Sequence, residues 1–375
     1  MKKTIETLKP TIFEIYDRLH GHPEISWQEH HTTSFLADFL RKSGCEVTTF
    51  PDCTGVVGTI GNGKSDLSVG LRADMDALWQ EVDGKFQANH SCGHDAHMTM
   101  VLGVLLVLQA QKIEVPGRIM FLFQPAEEQG NGALKMIENK VVDELDFLYG
   151  VHVRPMDEVP HNQAAAGILH GANQTIFGSI TGYDAHGARP HQGNNAIEVI
   201  STIVEQLKGI HLDPTTPYSI KMTQVTAGEK NTNIIPGSAK FHLDLRAQTN
   251  EAMNELVHKT GHVLQSVARL YQTSIYYESS NQVYAATINK TAQKLMEYAI
   301  TQTLGEENLM APIVTPGAED FHYYTKERPH LKATMLGLGC DLQPGLHHPN
   351  MTFNREALLN GIEILTRTVL HTFDK

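Results

Sequence analysis

Short apolar runs alternate with helical periodicity through the first part of this chain, and that alternation admits few folds. Residues 5–19 and 32–42 repeat apolar side chains at helical spacing, and residues 97–110 are apolar nearly all round, as a buried helix is. Between them, residues 56–60, 67–71, 118–124 and 147–153 form short apolar runs of strand length. Strands separated by helices imply an α/β domain with a largely parallel sheet. Chemistry in such sheets gathers just beyond the carboxyl ends of the strands. Asp74, the stretch 124–128 and His152 all fall at such ends.

The middle of the chain follows another order. Strand patterns at 174–182, 219–225, 239–246 and 273–278 enclose helical patterns at 196–207 and 251–270. This β-α-β-β-α-β succession is that of a ferredoxin-like unit. Beyond residue 287 the first style returns, with a helix at 290–304, a strand at 333–338 and a helix at 355–373. The expectation is a mixed, largely parallel-sheet catalytic domain, with helices on both faces, built from residues 1–172 and 284–375. An α+β domain at 173–283 is inserted in it. No internal repeat or low-complexity tract is visible.

The chain has 375 residues, 41% of them hydrophobic and 19% charged, enough for a sizeable core. Its net charge of −12 argues against a nucleic-acid partner, which requires a basic field. A local arginine can still hold a small anion. No apolar stretch follows the charged amino terminus as in a signal peptide, and the run 101–110 is too short to span a bilayer. Four cysteines (Cys45, Cys53, Cys92, Cys340) are too few for a disulfide framework, so a reducing cytoplasm is expected, with no membrane partner. Histidine is abundant, at 21 residues, and directs attention to ligands.

The densest chemistry lies in Ser91-Cys92-Gly93-His94-Asp95-Ala96-His97. Thiolate sulfur beside imidazole nitrogen suits a zinc-like or manganese-like ion. The same pair fits a thiol nucleophile, or a buried cysteine beside a helix-capping histidine. Glu127-Glu128 follows a buried strand, where one carboxylate can bind metal while its neighbour moves a proton. Alone, a solvated acidic pair at a helix start is the more ordinary reading. His152 on its strand is equally compatible with a satisfied core residue, and His347-His348-Pro349 with a polar loop. Asp74 and Asp76 can be turn residues or can orient a metal-bound histidine from behind. Together these segments supply one cysteine, three histidines and a glutamate, too many ligands for one tetrahedral zinc and enough for two bridged ions.

In order, Arg72-Ala73-Asp74-Met75-Asp76-Ala77-Leu78, His90-Ser91-Cys92-Gly93-His94-Asp95-Ala96-His97, Gln124-Pro125-Ala126-Glu127-Glu128, Val151-His152-Val153 and Leu346-His347-His348-Pro349 resemble the signatures of one amidohydrolase group. It comprises bacterial N-acyl-amino-acid aminoacylases, hippurate hydrolases and plant IAA-amino acid hydrolases, within metallopeptidase clan MH. The resemblance spans nearly the whole chain. It implies Cys92, His94, Glu128, His152 and His347 as ligands of two divalent ions, manganese or zinc, with nickel or cobalt as alternatives. It implies Glu127 as general base and then acid toward a metal-activated water, with Asp74 as a support. The segment 182–191, Asn233-Ile234-Ile235-Pro236 and Leu245-Arg246 resemble the family's substrate-contacting motifs in a lid and dimerisation domain. His186 would polarise the substrate carbonyl, and Asn233 and Arg246 would hold its carboxylate, across the interface of a homodimer.

Two departures stand out. Trp79-Gln80 replaces the group's usual Pro-Ile within a segment that is short up to Asn89, and His348 occupies a usual serine position. The resemblance implies cleavage of an N-acyl amino acid or a similar small carboxylate-bearing amide. A carboxypeptidase or dipeptidase is the alternative within the superfamily. A Cys92/His94 thiol hydrolase and a binding protein without turnover are alternatives of other classes.

Overall fold

Four parallel strands occupy the middle of an eight-stranded sheet, in the order Arg118–Gln124, Ser68–Asp74, Phe147–Pro155 and Lys332–Leu342. The computed structural model describes residues 1–61, 66–280 and 282–374. Val56–Gly61 and then Glu46–Thr49 extend the sheet antiparallel on one side. Ala164–Ala165 and Leu309–Met310 extend it on the other. The sheet belongs to a unit formed by Met1–Leu169, Thr287–Val314 and Asp320–Lys375.

All seven residues of Ser68–Asp74 are buried, because both faces of the sheet are covered. Val69, Leu71 and Ala73 point into a core shared with helices Lys2–His20, His94–Ala110 and Ala357–Phe373. Arg72 points the other way, over the Phe321 ring beside the short helix His322–Glu327. Helix His94–Ala110 is buried around almost its whole circumference, which accounts for its lack of a polar face. Each fully buried Leu or Phe stabilises this unit by roughly 1.5–3 kcal/mol. Among the described residues, no helix is long and apolar enough to cross a membrane.

Two features differ from the sequence reading. The buried helix begins three residues earlier, at His94, because Gly93 makes the turn before it. The short segment after Asp76 is a β-hairpin, Leu78–Val82 paired with Lys85–Asn89. Asp83 and Gly84 form its tip with φ of 50° and 79°, the left-handed pair that a tight hairpin needs.

The second unit comprises His170–Ala286 and Thr315–Glu319. Its antiparallel sheet runs Tyr218–Ala227, Ser238–Ala247, Ala172–Thr181, Ser274–Ser279, the strand order of a ferredoxin-like unit. Helices Ala196–Leu207 and Asn250–Tyr271 are capped by Asn195 and Thr249, whose side chains accept backbone N–H bonds. Inward-facing Ile176, Ile180, Phe241, Leu243 and Leu245 pack with Val199, Ile203, Leu256 and Leu264 from the helices. Gly178 sits opposite Phe241, and a Cβ there would lie 2.1 Å from the ring. Gly178→Ala should therefore destabilise this unit by about 1–3 kcal/mol through overpacking. Urea denaturation followed by a probe in this unit checks this, and an unchanged midpoint would contradict the packing described.

Candidate metal centre

The carboxyl ends of the four parallel strands deliver the donor groups. After the hairpin the chain turns at Gly93, whose φ is 84°, and enters helix His94–Ala110. A Cβ at this position would come within 2.5 Å of Val153 Cγ2, so both the backbone and the space require glycine. Cys92 Sγ then faces His152 Nε2 at 3.6 Å and His347 Nε2 at 3.3 Å. His347 follows strand Lys332–Leu342, and its Nε2 lies 3.3 Å from Glu128 Oε1.

Among the described residues, the groups that bring the expected ligands together are Cys92 with His94 and His152, Cys92 with Glu128 and His347, and His94 with Glu127 and Glu128. Within each group the ligand atoms all lie within 4.8 Å of one another. The five ligands expected from sequence, together with Glu127, are thus gathered in one unit. His348, the residue at the serine position, accepts the Asn350 N–H on its Nδ1 within its own loop.

Hydrogen bonds assign the histidine tautomers. His152 Nδ1 lies 2.7 Å from the Val153 carbonyl and must donate to it, so its lone pair is on Nε2, toward Cys92. His94 Nδ1 donates to Asp76 Oδ1 at 3.2 Å, which leaves Nε2 as the nitrogen that faces the donor cluster. His97 is occupied at both nitrogens: Nδ1 donates to Asp74 at 2.7 Å, and Nε2 accepts the Val153 N–H at 3.0 Å. Asp74 therefore meets His97 and Arg72, and Asp76 is the carboxylate hydrogen-bonded to His94. Asp76 also accepts the N–H groups of Glu127 (3.1 Å) and Glu128 (3.0 Å) and the Ser26 hydroxyl (2.6 Å). The family resemblance implies Asp74 as the support, whereas these bonds place Asp76 on His94, a distinction that residue type and spacing alone left open.

Glu29 carried no sequence signal. Its buried carboxylate accepts the Thr54 hydroxyl at 2.6 Å and the Ala126 N–H at 2.9 Å. Ala126 has the left-handed φ of 53°, rare for a residue with a side chain. This turn directs the next two N–H groups onto Asp76.

The electrostatics call for a cation. Burial pushes the Cys92 thiol up and the His152 imidazole well down. His347 is pushed up to about 10 by its hydrogen bonds to Cys92 and Glu128. Burial opposes charge on His94, but Asp74 and Cys92 outweigh it and hold its pKa well above the ordinary value. Positive charge is thus drawn to His94 and His347 by the groups around them, and a divalent ion bound there would supply that charge instead. His94 Nε2 is buried without a hydrogen-bond partner, as a ligand atom awaiting an ion is. The donor set fits a divalent metal.

In the second unit, His186 and Asn233 lie close in the fold. Strand Ala185–His186 pairs with Ile234–Ile235, and Gly187 N–H donates to the Asn233 carbonyl at 2.8 Å. His186 Nδ1 accepts the Ala188 N–H. Arg246 is on strand Ser238–Ala247, half exposed, with its Nε donating to Asp244 at 2.9 Å.

A mainly parallel α/β sheet with Cys, His and Glu donors at its carboxyl edge, and a second carboxylate beside them, defines a metallo-hydrolase. Residues 70–371 match the family described as peptidase family M20/M25/M40, and the chain belongs to that family. It is a hydrolase acting on amide bonds. Thermostable carboxypeptidase 1 of Saccharolobus solfataricus is 29% identical over 93% of this chain and 91% of its own. N-acetyldiaminopimelate deacetylase of Priestia megaterium is 29% identical over 96% of this chain and 97% of its own. The crystal structure of the Bacillus subtilis YXEP protein, a dinuclear metal binding peptidase of the M20 family, superposes with a TM-score of 0.84. It covers 98% of this chain and 99% of that one at 23% identity, a likeness of fold.

Burial raises the Glu29 pKa from 4.5 to about 7 despite its two hydrogen bonds. A carboxyl raised on folding contributes stability that is full below about pH 4.5 and is lost as pH rises through about 7. Relative to wild type, Glu29→Gln should therefore gain stability as pH rises across that window. Urea denaturation of both proteins in steps from pH 4.5 to 8 measures the difference, and parallel profiles would refute the assignment.

Proposed function

We propose that the protein hydrolyses the amide bond of an N-acyl amino acid, or of a similar small amide with a free carboxylate. The observation that carries this reading is the placement of Glu127 beside the ligand pair His94 and Glu128. The Glu127 carboxylate is 4.0 Å from His94 Nε2 and shares its ligand group. Cys92, His94, Glu128, His152 and His347 would hold two divalent ions, of manganese or zinc. When bound, the ions supply Lewis acidity toward the attacking water and the amide oxygen.

Glu127 takes the proton of the attacking water on its carboxylate and returns it to the leaving nitrogen. Asp76 fixes the backbone of Glu127 and Glu128 while holding His94 by Nδ1, so one anion orients both base and ligand. Asp74 supports the site indirectly, through His97 and Arg72. His186 would polarise the scissile carbonyl, and Asn233 and Arg246 would grip the carboxylate. Arg246 already makes a paired contact with Asp244 and would exchange it for the substrate's anion. The inserted unit would act as a lid and dimerise the protein. Its edge strand Tyr218–Ala227, with Val225 half exposed, supports pairing with a second copy. The carboxypeptidase relative favours a second reading, in which the group cleaved from the amino acid is itself a peptide.

Chelation with EDTA should abolish turnover, and manganese or zinc should restore it. Glu127→Gln should lower kcat by about 10²- to 10⁴-fold with metal content unchanged by elemental analysis. A panel of N-acyl amino acids and dipeptides would rank the two substrate readings. Full activity in EDTA combined with loss on thiol alkylation would replace the metal reading by a Cys92 thiol hydrolase.

A further inference from the structure

His347 is the least shielded member of the donor cluster. Its side chain is 52% exposed, whereas that of Glu128 is 10% exposed and His94 has no exposure. It lies in the loop after strand Lys332–Leu342 with a left-handed φ of 64°. Beyond the side-chain contacts to Cys92 and Glu128, two hydrogen bonds fix its main chain. The His347 N–H donates to the Ser91 carbonyl at 2.7 Å, and the His347 carbonyl accepts from Gln80 Nε2 at 2.8 Å.

The other end of the same carboxamide closes a ring. Gln80 Oε1 accepts the Ser91 hydroxyl at 2.8 Å and Asn89 Nδ2 at 3.2 Å. Asn89 Nδ2 also donates to the Pro349 carbonyl at 2.9 Å, two residues beyond His347. Gln80 projects from the same hairpin face as its cross-strand partner Gln87 and as Asn89, while Trp79 and Phe86 project from the opposite face. One carboxamide thus ties together the hairpin, the residue preceding Cys92 and the backbone of His347.

We propose that Gln80 is a positioning residue that clamps the His347 main chain to the Ser91–Cys92 turn, and so sets how the Cys92 and His347 donors present themselves to a divalent ion. The inference rests on the metal reading above. It needs both ends of the side chain. The amide N–H₂ is the donor to His347, and the amide oxygen is the acceptor for Ser91. Gln80→Glu keeps the acceptor but sets a carboxylate oxygen against the His347 carbonyl. Gln80→Met keeps the length and loses both ends.

The test uses the full-length protein loaded with cobalt(II), whose charge-transfer absorption with a thiolate reports the Cys92 bond directly. Cobalt affinity is measured by competition with a chelator, and folding by thermal denaturation. Gln80→Met and Gln80→Glu should each weaken cobalt binding by about 10- to 100-fold and alter the thiolate band. Gln87→Met, on the same hairpin face, should leave both unchanged. Wild-type affinity and an unaltered band in either folded Gln80 variant would overturn the clamp. So would an equal loss in Gln87→Met, which would assign the effect to the hairpin as a whole. Absence of a thiolate band in the wild-type protein would overturn the metal reading itself, a result distinct from failure of the clamp.

Discussion

Arg72 has no exposure to solvent, and three segments meet on its guanidinium. Nε donates to Gln124 at 2.9 Å, NH1 to Asp74 at 2.6 Å and NH2 to Asp320 at 2.9 Å. Burying such an ion costs several kcal/mol, which only well-placed anions and acceptors offset, and removal of one partner typically costs about 3–5 kcal/mol. The adjacent strands Ser68–Asp74 and Arg118–Gln124 are therefore joined at their carboxyl ends by charge as well as by backbone pairing. The chemistry lies immediately downstream. Asp74 holds His97, Asp76 follows two residues later with His94, and Glu127 follows three residues after Gln124. Any loosening at Arg72 is felt by the proposed base Glu127 and the proposed ligand His94 together.

Much of this arrangement was readable from the residues. Continuous apolar runs located the central strands because their side chains are buried on both faces of the sheet. The parallel order then placed Asp74, Glu127, Glu128 and His152 at one edge. The ferredoxin-like order of the inserted unit followed from the succession of patterns alone. Cys92 and His94 stood out as the densest chemistry in the chain, and only their company with Glu127, Glu128, His152 and His347 favoured metal ligation over a thiol nucleophile or a buried cysteine beside a capping histidine.

The remainder depends on contacts that no local pattern encodes. Glu29 meets Ala126 across 97 residues, and Gln80 meets His347 across 267. Glu29 is a polar residue in polar surroundings, indistinguishable in sequence from a surface position, and Gln80 stood out only as a departure from the family pattern, with nothing to name its partner. Asp74 and Asp76 have the same local context, and only their distances to His97 and His94 tell them apart. The hairpin was more accessible: Asp83-Gly84 between alternating residues is a strong turn signal, masked here by its two-strand brevity.

The central sheet is written in the chain as separated pieces. Cys340 and Arg154, neighbours on adjoining parallel strands, are 186 positions apart. During synthesis the strand Phe147–Pro155 emerges long before its partner Lys332–Leu342 exists, with one edge open to improper pairing. The inserted unit, whose strands pair over shorter separations, has all its residues, Thr315–Glu319 included, before that partner arrives. His347 comes last of all the donors. Completion of the candidate donor set thus waits on the loop that follows strand Lys332–Leu342, and a ribosome-bound fragment ending before it carries Glu127, the proposed base, without one of the five donors.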